Sequence, residues 1–172
     1  SGEASMSDLE IDVANRKVAY HHPSLSMDLN GIAKGYAVDV ASDHLRSLGV
    51  EHFIVNAGGD LYVAGDAGDG APGWQVHLVS DKTVGWRLSD RAIATSGNGN
   101  QNRDAQGRLV AHLLDPRTGG PTNQYESTTV VGDRVMEADA WSTALFVGDR
   151  PNMLRQIEEV PGLAAYVASH TT

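Results

Sequence analysis

Two stretches of this chain hold most of the residues that can do chemistry. The first is Asp28-Leu29-Asn30-Gly31-Ile32-Ala33-Lys34-Gly35-Tyr36-Ala37-Val38-Asp39. A carboxylate and an amide precede a glycine and an apolar-periodic run. Gly31 and Gly35 leave little bulk at a helix start, so a ligand phosphate or a packed backbone can come close. Lys34 lies in the same turn, where a cation opposes the helix dipole. The set reads as an anion site or as a tightly packed helix start with an exposed lysine. The second stretch is Ala138-Asp139-Ala140-Trp141-Ser142-Thr143-Ala144-Leu145-Phe146. Asp139 stands among apolar and small residues, and Thr143, four residues on, shares its helical face. A buried carboxylate needs a partner. The Thr143 hydroxyl can supply a hydrogen bond, or a hard cation can be held by Asp139, the Thr143 hydroxyl and a carbonyl oxygen.

Smaller groups lie between them. Asn56-Ala57-Gly58-Gly59-Asp60 is a hairpin turn or the floor of a site for a flat ligand. Ala94-Thr95-Ser96-Gly97 ends a strand in hydroxyls and glycine. Ser96 is not a nucleophile elbow, because Ala94 stands where that motif needs glycine. Asp115-Pro116-Arg117-Thr118-Gly119-Gly120-Pro121 packs a carboxylate, a guanidinium and a hydroxyl into a proline-fixed turn, just after His112. Its density fits a ligand site or a turn alone. His21 and His22 point opposite ways on extended chain and read as surface residues.

The elements that must position these groups follow from periodicity. Ala33, Ala37, Ala41, Leu45 and Leu48 recur at helical spacing, which predicts a helix over Ile32–Leu48 with this stripe as its apolar face. Asn30 is placed to cap its free amides and Gly49 to stop it. A second helix is expected over Val135–Val147 and a third over Pro151–Val160. Strands are expected at Leu9–Val13, Lys17–Tyr20, His52–Ala57, Leu61–Gly65, Trp74–Val79, Val84–Leu88, Ala92–Ser96, Leu109–Leu114, Ser127–Val131 and Leu163–Val167. Trp74 and Trp86 are expected to pack on a sheet face. The whole predicts one α+β domain over residues 1–172, a mixed, mainly antiparallel sheet packed against helices.

Composition narrows the function. With 13 basic against 22 acidic residues the net charge is -9, which repels nucleic acid and anionic membrane. A phosphorylated small ligand needs only a local positive field. With 0 cysteines, thiolate metal sites and cysteine nucleophiles are excluded. No apolar run reaches the ~18 residues of a membrane span. The start lacks the features of a signal peptide, and one removed upstream is compatible with it.

Five islands in order resemble the ApbE family, the FAD:protein FMN transferases: Asp28 to Asp39, Asn56 to Asp60, Ala94 to Gly97, His112 to Gly119 and Ala138 to Val147. The resemblance runs from about Leu9 to Val167. It implies an ApbE-like flavin transferase fold lacking the usual N-terminal part, so that this chain matches the C-terminal half of a family member. The implied activity is Mg²⁺-dependent. FAD is split at the diphosphate, FMN goes to a Thr or Ser hydroxyl of a target protein, and AMP leaves. The resemblance makes Asp139, Thr143 and the Ala33 carbonyl metal ligands, and Lys34 the diphosphate partner. Asn56, Ala57, Gly58, Gly59, Thr95 and Ser96 line the flavin side. Arg117 joins that set or holds the turn through a carboxylate. His112 or Asp115 is the base, or braces the loop. The implied partners are flavoprotein subunits of respiratory complexes. The implied location is extracytoplasmic, periplasmic or anchored to the inner membrane as a lipoprotein. The alternatives are an FAD-binding or FAD pyrophosphatase remnant, and a structural domain without catalysis.

Overall fold

A computed structural model of the chain describes residues 4–78, 82–97, 113–122 and 124–169, with the backbone of 102–103 and 109–110. A hairpin of β1 (Leu9–Asp12) and β2 (Lys17–Tyr20) turns at Arg16, whose φ is 54°. Helix α1 covers Asn30–Ser47. Strands β3 (Phe53–Ala57) and β4 (Asp60–Ala64) follow, then the hairpin β5 (Trp74–His77) and β6 (Gly85–Leu88). Next come β7 (Arg91–Gly97), the short pair β8 (Asn102–Arg103) and β9 (Leu109–Val110), and β10 (Ser127–Gly132). Helices α2 (Val135–Val147) and α3 (Arg150–Glu159) and strand β11 (Ala164–Ala168) close the chain.

The architecture is α+β. Five strands pair antiparallel in the order β11-β10-β7-β4-β3. Alternation along the strands sends side chains to two different cores. In β4 and β7, Leu61, Val63 and Ile93 meet Trp74, Val76 and Leu88 of the β5–β6 hairpin. Tyr62, Ala64 and Ala92 turn the other way, onto Val38 of α1 and Val135 of α2. Ala94 and Val130 meet Ala138 and Leu145 of α2 and Ile157 of α3. Covered on both faces, β4 is buried at every position, which explains its unbroken apolar run after Asp60.

The expected α1 stripe is corrected by this packing. Gly35, Val38, Asp39 and Ser42 are the buried residues of α1; of the expected stripe, Ala33, Ala37 and Leu48 are exposed, whereas Ala41 and Leu45 are half-buried, Leu45 against the core. Alanines carry little hydrophobic payload, so their spacing does not decide a face. Steric closeness does. A Cβ on Gly35 would lie 2.6 Å from both Met136 Cα and the Val135 carbonyl oxygen, so only glycine lets the two helices approach this far. Asp39 then reaches the start of α2. Its carboxylate accepts the Val135 and Met136 amides at 2.9 and 3.1 Å and meets Arg134 Nε at 3.3 Å. Two orphan amides of α2 are thereby capped from another helix. The cap on α1 is also corrected: Asn30 does not cap it. Asp28 Oδ1 accepts the Asn30 amide at 2.9 Å, because Asn30 is already the first helical residue.

Candidate functional site

The α1–α2 crossing brings the two chemistry-bearing stretches together. Asp139 is 2% exposed. Its Oδ2 accepts the Gly35 amide at 3.1 Å. Its Oδ1 faces the Lys34 ammonium at 3.7 Å, beyond hydrogen-bond reach. The Lys34 ammonium is instead paired with Asp60, which is 1% exposed at the head of β4. Asp60 Oδ1 accepts the Thr95 amide at 3.2 Å. Two buried carboxylates therefore share one half-exposed ammonium. Burial, and then the charge of Asp60, push the Asp139 carboxyl above its ordinary value, while the Gly35 amide and Lys34 pull it back. The placement of Lys34 near the start of α1, unfavourable by the helix dipole, is answered by these two acids.

Of the two readings of Thr143, the hydrogen bond to Asp139 is not formed. Thr143 Oγ1 bonds to Ser96 Oγ at 3.0 Å, and Ser96 Oγ bonds to Ser142 Oγ at 2.9 Å. Thr143 also lies against the start of α1, since a Cβ on Gly31 would sit 3.4 Å from its hydroxyl. The stretch from Gly31 to Gly35, with Ala33 and Lys34 between, thus runs from Thr143 to Asp139. Among the described residues no three His, Asp or Glu side chains converge as a metal set. A cation here would take one carboxylate and complete its shell from hydroxyl and carbonyl oxygens. That all-oxygen set, with an under-neutralised buried carboxylate at its centre, fits a hard ion such as Mg²⁺.

The other expected residues are placed less uniformly. Asn56 Oδ1 accepts the Gly59 amide at 2.9 Å. Ala57 pairs with Asp60 across a two-residue turn in which Gly58 and Gly59 have φ of 65° and 105°. The hairpin reading of this segment holds, since such a turn needs positive φ at both positions. It leads directly into Asp60. Thr95 and Ser96 point to opposite faces of β7. Ser96 meets α2, while Thr95 Oγ1 bonds to Thr129 Oγ1 at 2.9 Å on the far side. Their side chains therefore do not line one surface.

The proline turn is largely self-contained. Asp115 takes Arg117 through Nε at 2.9 Å, Nη2 at 2.7 Å and the backbone amide at 2.8 Å. Arg117 holds the Asp115 carboxyl below its ordinary value. Asp115 in turn raises the Arg117 guanidinium above its ordinary value, with a smaller contribution from the charge of Asp149, beyond the end of α2. Among the described residues, the side-chain hydrogen bonds of Asp115, Arg117 and Thr118 stay within this turn. His112 lies outside the described residues. Asp60, named in the sequence only as the end of the double-glycine segment, is the site residue to which sequence reasoning gave no role of its own. Its signal was a lone acid opening an otherwise apolar strand.

Comparison with known proteins places the chain in a family. Residues 3–167 match the model of the ApbE family. An FAD:protein FMN transferase of Vibrio cholerae serotype O1 is 36% identical over 150 residues, covering 82% of this chain and 45% of that protein. That of Escherichia coli K12 is 32% identical over 152 residues, covering 84% and 43%. The solved flavin transferase ApbE from Vibrio cholerae matches with a TM-score of 0.74 at 31% identity, over 96% of this chain and 57% of that one. The ApbE protein of Thermotoga maritima gives 0.79 at 30% identity, over 94% and 54%. The chain spans about half the length of the curated relatives it matches.

Proposed function

The chain belongs to the ApbE family, and on that footing we propose that it carries the flavin-transfer site of an FAD:protein FMN transferase. FAD is the substrate, and a Thr or Ser hydroxyl of a target flavoprotein is the acceptor. The observation that carries this reading is the buried Asp139 carboxylate, one oxygen met by a single amide and the other facing a lysine already held by Asp60. Asp139, the Thr143 hydroxyl and the Ala33 carbonyl would hold Mg²⁺, which when bound neutralises charge on the diphosphate and on the departing AMP.

The chain's own residues divide the remaining work. The Lys34 side chain is 51% exposed, so its ammonium can turn from Asp60 toward the diphosphate. The positive end of the α1 helix dipole adds fixed potential. The turn of Asn56, Ala57, Gly58 and Gly59 offers its open backbone to the flavin side. In the transfer, the acceptor oxygen bonds to the FMN phosphorus, the bond from that phosphorus to the AMP oxygen breaks, and the hydroxyl proton passes to a base. We place that base at His112. Asp115 is a weak base while Arg117 holds its carboxyl low, and it braces the turn instead. The proposal extends to an extracytoplasmic location and to flavoprotein subunits of respiratory complexes as acceptors, both carried by the resemblance.

The test is AMP release from FAD, with and without Mg²⁺. Asp139→Ala is expected to cut Mg²⁺-dependent release by about 100-fold or more. Unchanged release would overturn the reading. FAD binding without AMP release would mark a flavin-binding module.

A further inference from the structure

The hydroxyls beneath the site form a chain whose proton direction can be worked out. Ser142 Oγ donates to the Asp139 backbone carbonyl at 3.0 Å. A serine hydroxyl has one hydrogen to give, and Ser142 has spent it there. While that bond is made, Ser142 accepts and Ser96 donates in their 2.9 Å contact. Ser96 has then spent its own hydrogen. In the 3.0 Å contact between Ser96 and Thr143, Ser96 accepts and Thr143 donates. The single proton of Thr143 is thus drawn down toward β7, and the lone pairs of its Oγ1 are left for the side where α1 begins at Gly31. Ser142 and Ser96 are buried, so water does not readily compete for these bonds. Thr128 Oγ1 donates to the Ser142 carbonyl at 2.8 Å and fixes that turn of α2 to β10.

We infer that Ser96 and Ser142 are positioning residues that fix Thr143 as a proton acceptor toward the site, preset for a cation. The inference rests on the proposed cation site at Asp139 and Thr143, and it assigns to Ser96 a role through Thr143 in place of contact with flavin. A hydroxyl free to rotate would spend part of its time presenting a proton to the cation. Here the alternative orientation is removed before any ligand arrives. With Ser142→Ala, Ser96 is released to donate toward Thr143, and the polarity of the chain can reverse. With Ser96→Ala, Thr143 loses its internal acceptor.

The experiment is Mn²⁺ binding without nucleotide, followed by the electron paramagnetic resonance signal of the free ion. Wild type, S96A, S142A, T143V, D139A and the double variants S96A/T143V and S142A/T143V are compared, with folding checked by circular dichroism. Each serine variant is expected to weaken Mn²⁺ binding by about tenfold, the effect of a residue behind a ligand. T143V is expected to weaken it at least as much. In the T143V background each serine change should matter by less than about twofold, because the serines act through Thr143. Unaltered binding in S96A and S142A would overturn the inference. So would losses of equal size with and without Thr143. No binding by wild type, or full binding by D139A, would overturn the cation reading itself, and is told apart because it appears without any serine variant.

Discussion

Asp39 and Asp139 are both buried aspartates that reach across the same helix crossing, and the protein answers them differently. Asp39 meets two amides at the start of α2 and the Arg134 guanidinium. Its charge sits where a helix N-terminus wants one. Asp139 meets one amide and a lysine at 3.7 Å that belongs first to Asp60. A carboxylate fully met by its own chain contributes stability and has no call on anything else. One left short of positive charge costs stability until a ligand supplies it. The two ends of one crossing thus separate a structural acid from a candidate functional one.

Four changes would sharpen or break this contrast. Gly35→Ala should have the largest effect, because its Cβ would collide with the backbone of Met136 and Val135. Forcing the helices apart is expected to cost about 3 kcal/mol, read as a lower urea midpoint, and to weaken Mn²⁺ binding as well. A wild-type midpoint would mean the close crossing carries no weight. Asp39→Asn comes next. Losing a charged acceptor for two helix amides should cost about 2 kcal/mol, while the folded protein keeps its cation response.

Asp139→Asn should do the reverse. Its stability without cation should stay within about 1 kcal/mol of wild type, since the ionised group is already penalised by burial. The cation response should vanish. The pH dependences of Asp139 and Asp43 have opposite signs. Because the folded Asp139 value is raised, its contribution is most favourable below the ordinary aspartate value and is lost as pH rises through the folded value. Wild type should therefore lose stability relative to Asp139→Asn as pH climbs from about 4, measured without divalent ions. Asp43 shows the smallest effect. Arg134 holds its carboxyl low, so its contribution is present above the ordinary value and is lost as pH falls through the folded one. Both partners are largely exposed, and Asp43→Asn should cost a few tenths of a kcal/mol, about the worth of a surface pair, and only above that acid range. A larger loss would make the rim of the crossing as important as its buried acid.

Much of the fold was legible along the chain. The bounds of α2, the β1–β2 hairpin and the double-glycine turn before β4 all appear where local pattern put them. These are features that neighbours in sequence decide, through alternation, helical spacing and positive φ. The buried face of α1 was not legible. Apart from Val38 its buried residues are small or polar, and the alanine stripe competing with them weighs little. Asp139 and Thr143 were visible as odd residues for their surroundings, but their partners were not. A hydrogen bond from Thr143 to Asp139 was the local solution, and the fold gave Thr143 to Ser96 instead.

By itself the amino-acid order determined which side chains were available and which backbone shapes were open: a lysine in a first turn, glycines where bulk is forbidden, an acid inside an apolar helix. Tertiary structure decided how the charges balance. Gly35 meets Asp139 across 104 residues, and Lys34 meets Asp60 across 26. Whether a buried carboxylate is satisfied or left wanting depends on every donor within a few ångströms, and those donors come from parts of the chain that share no local pattern.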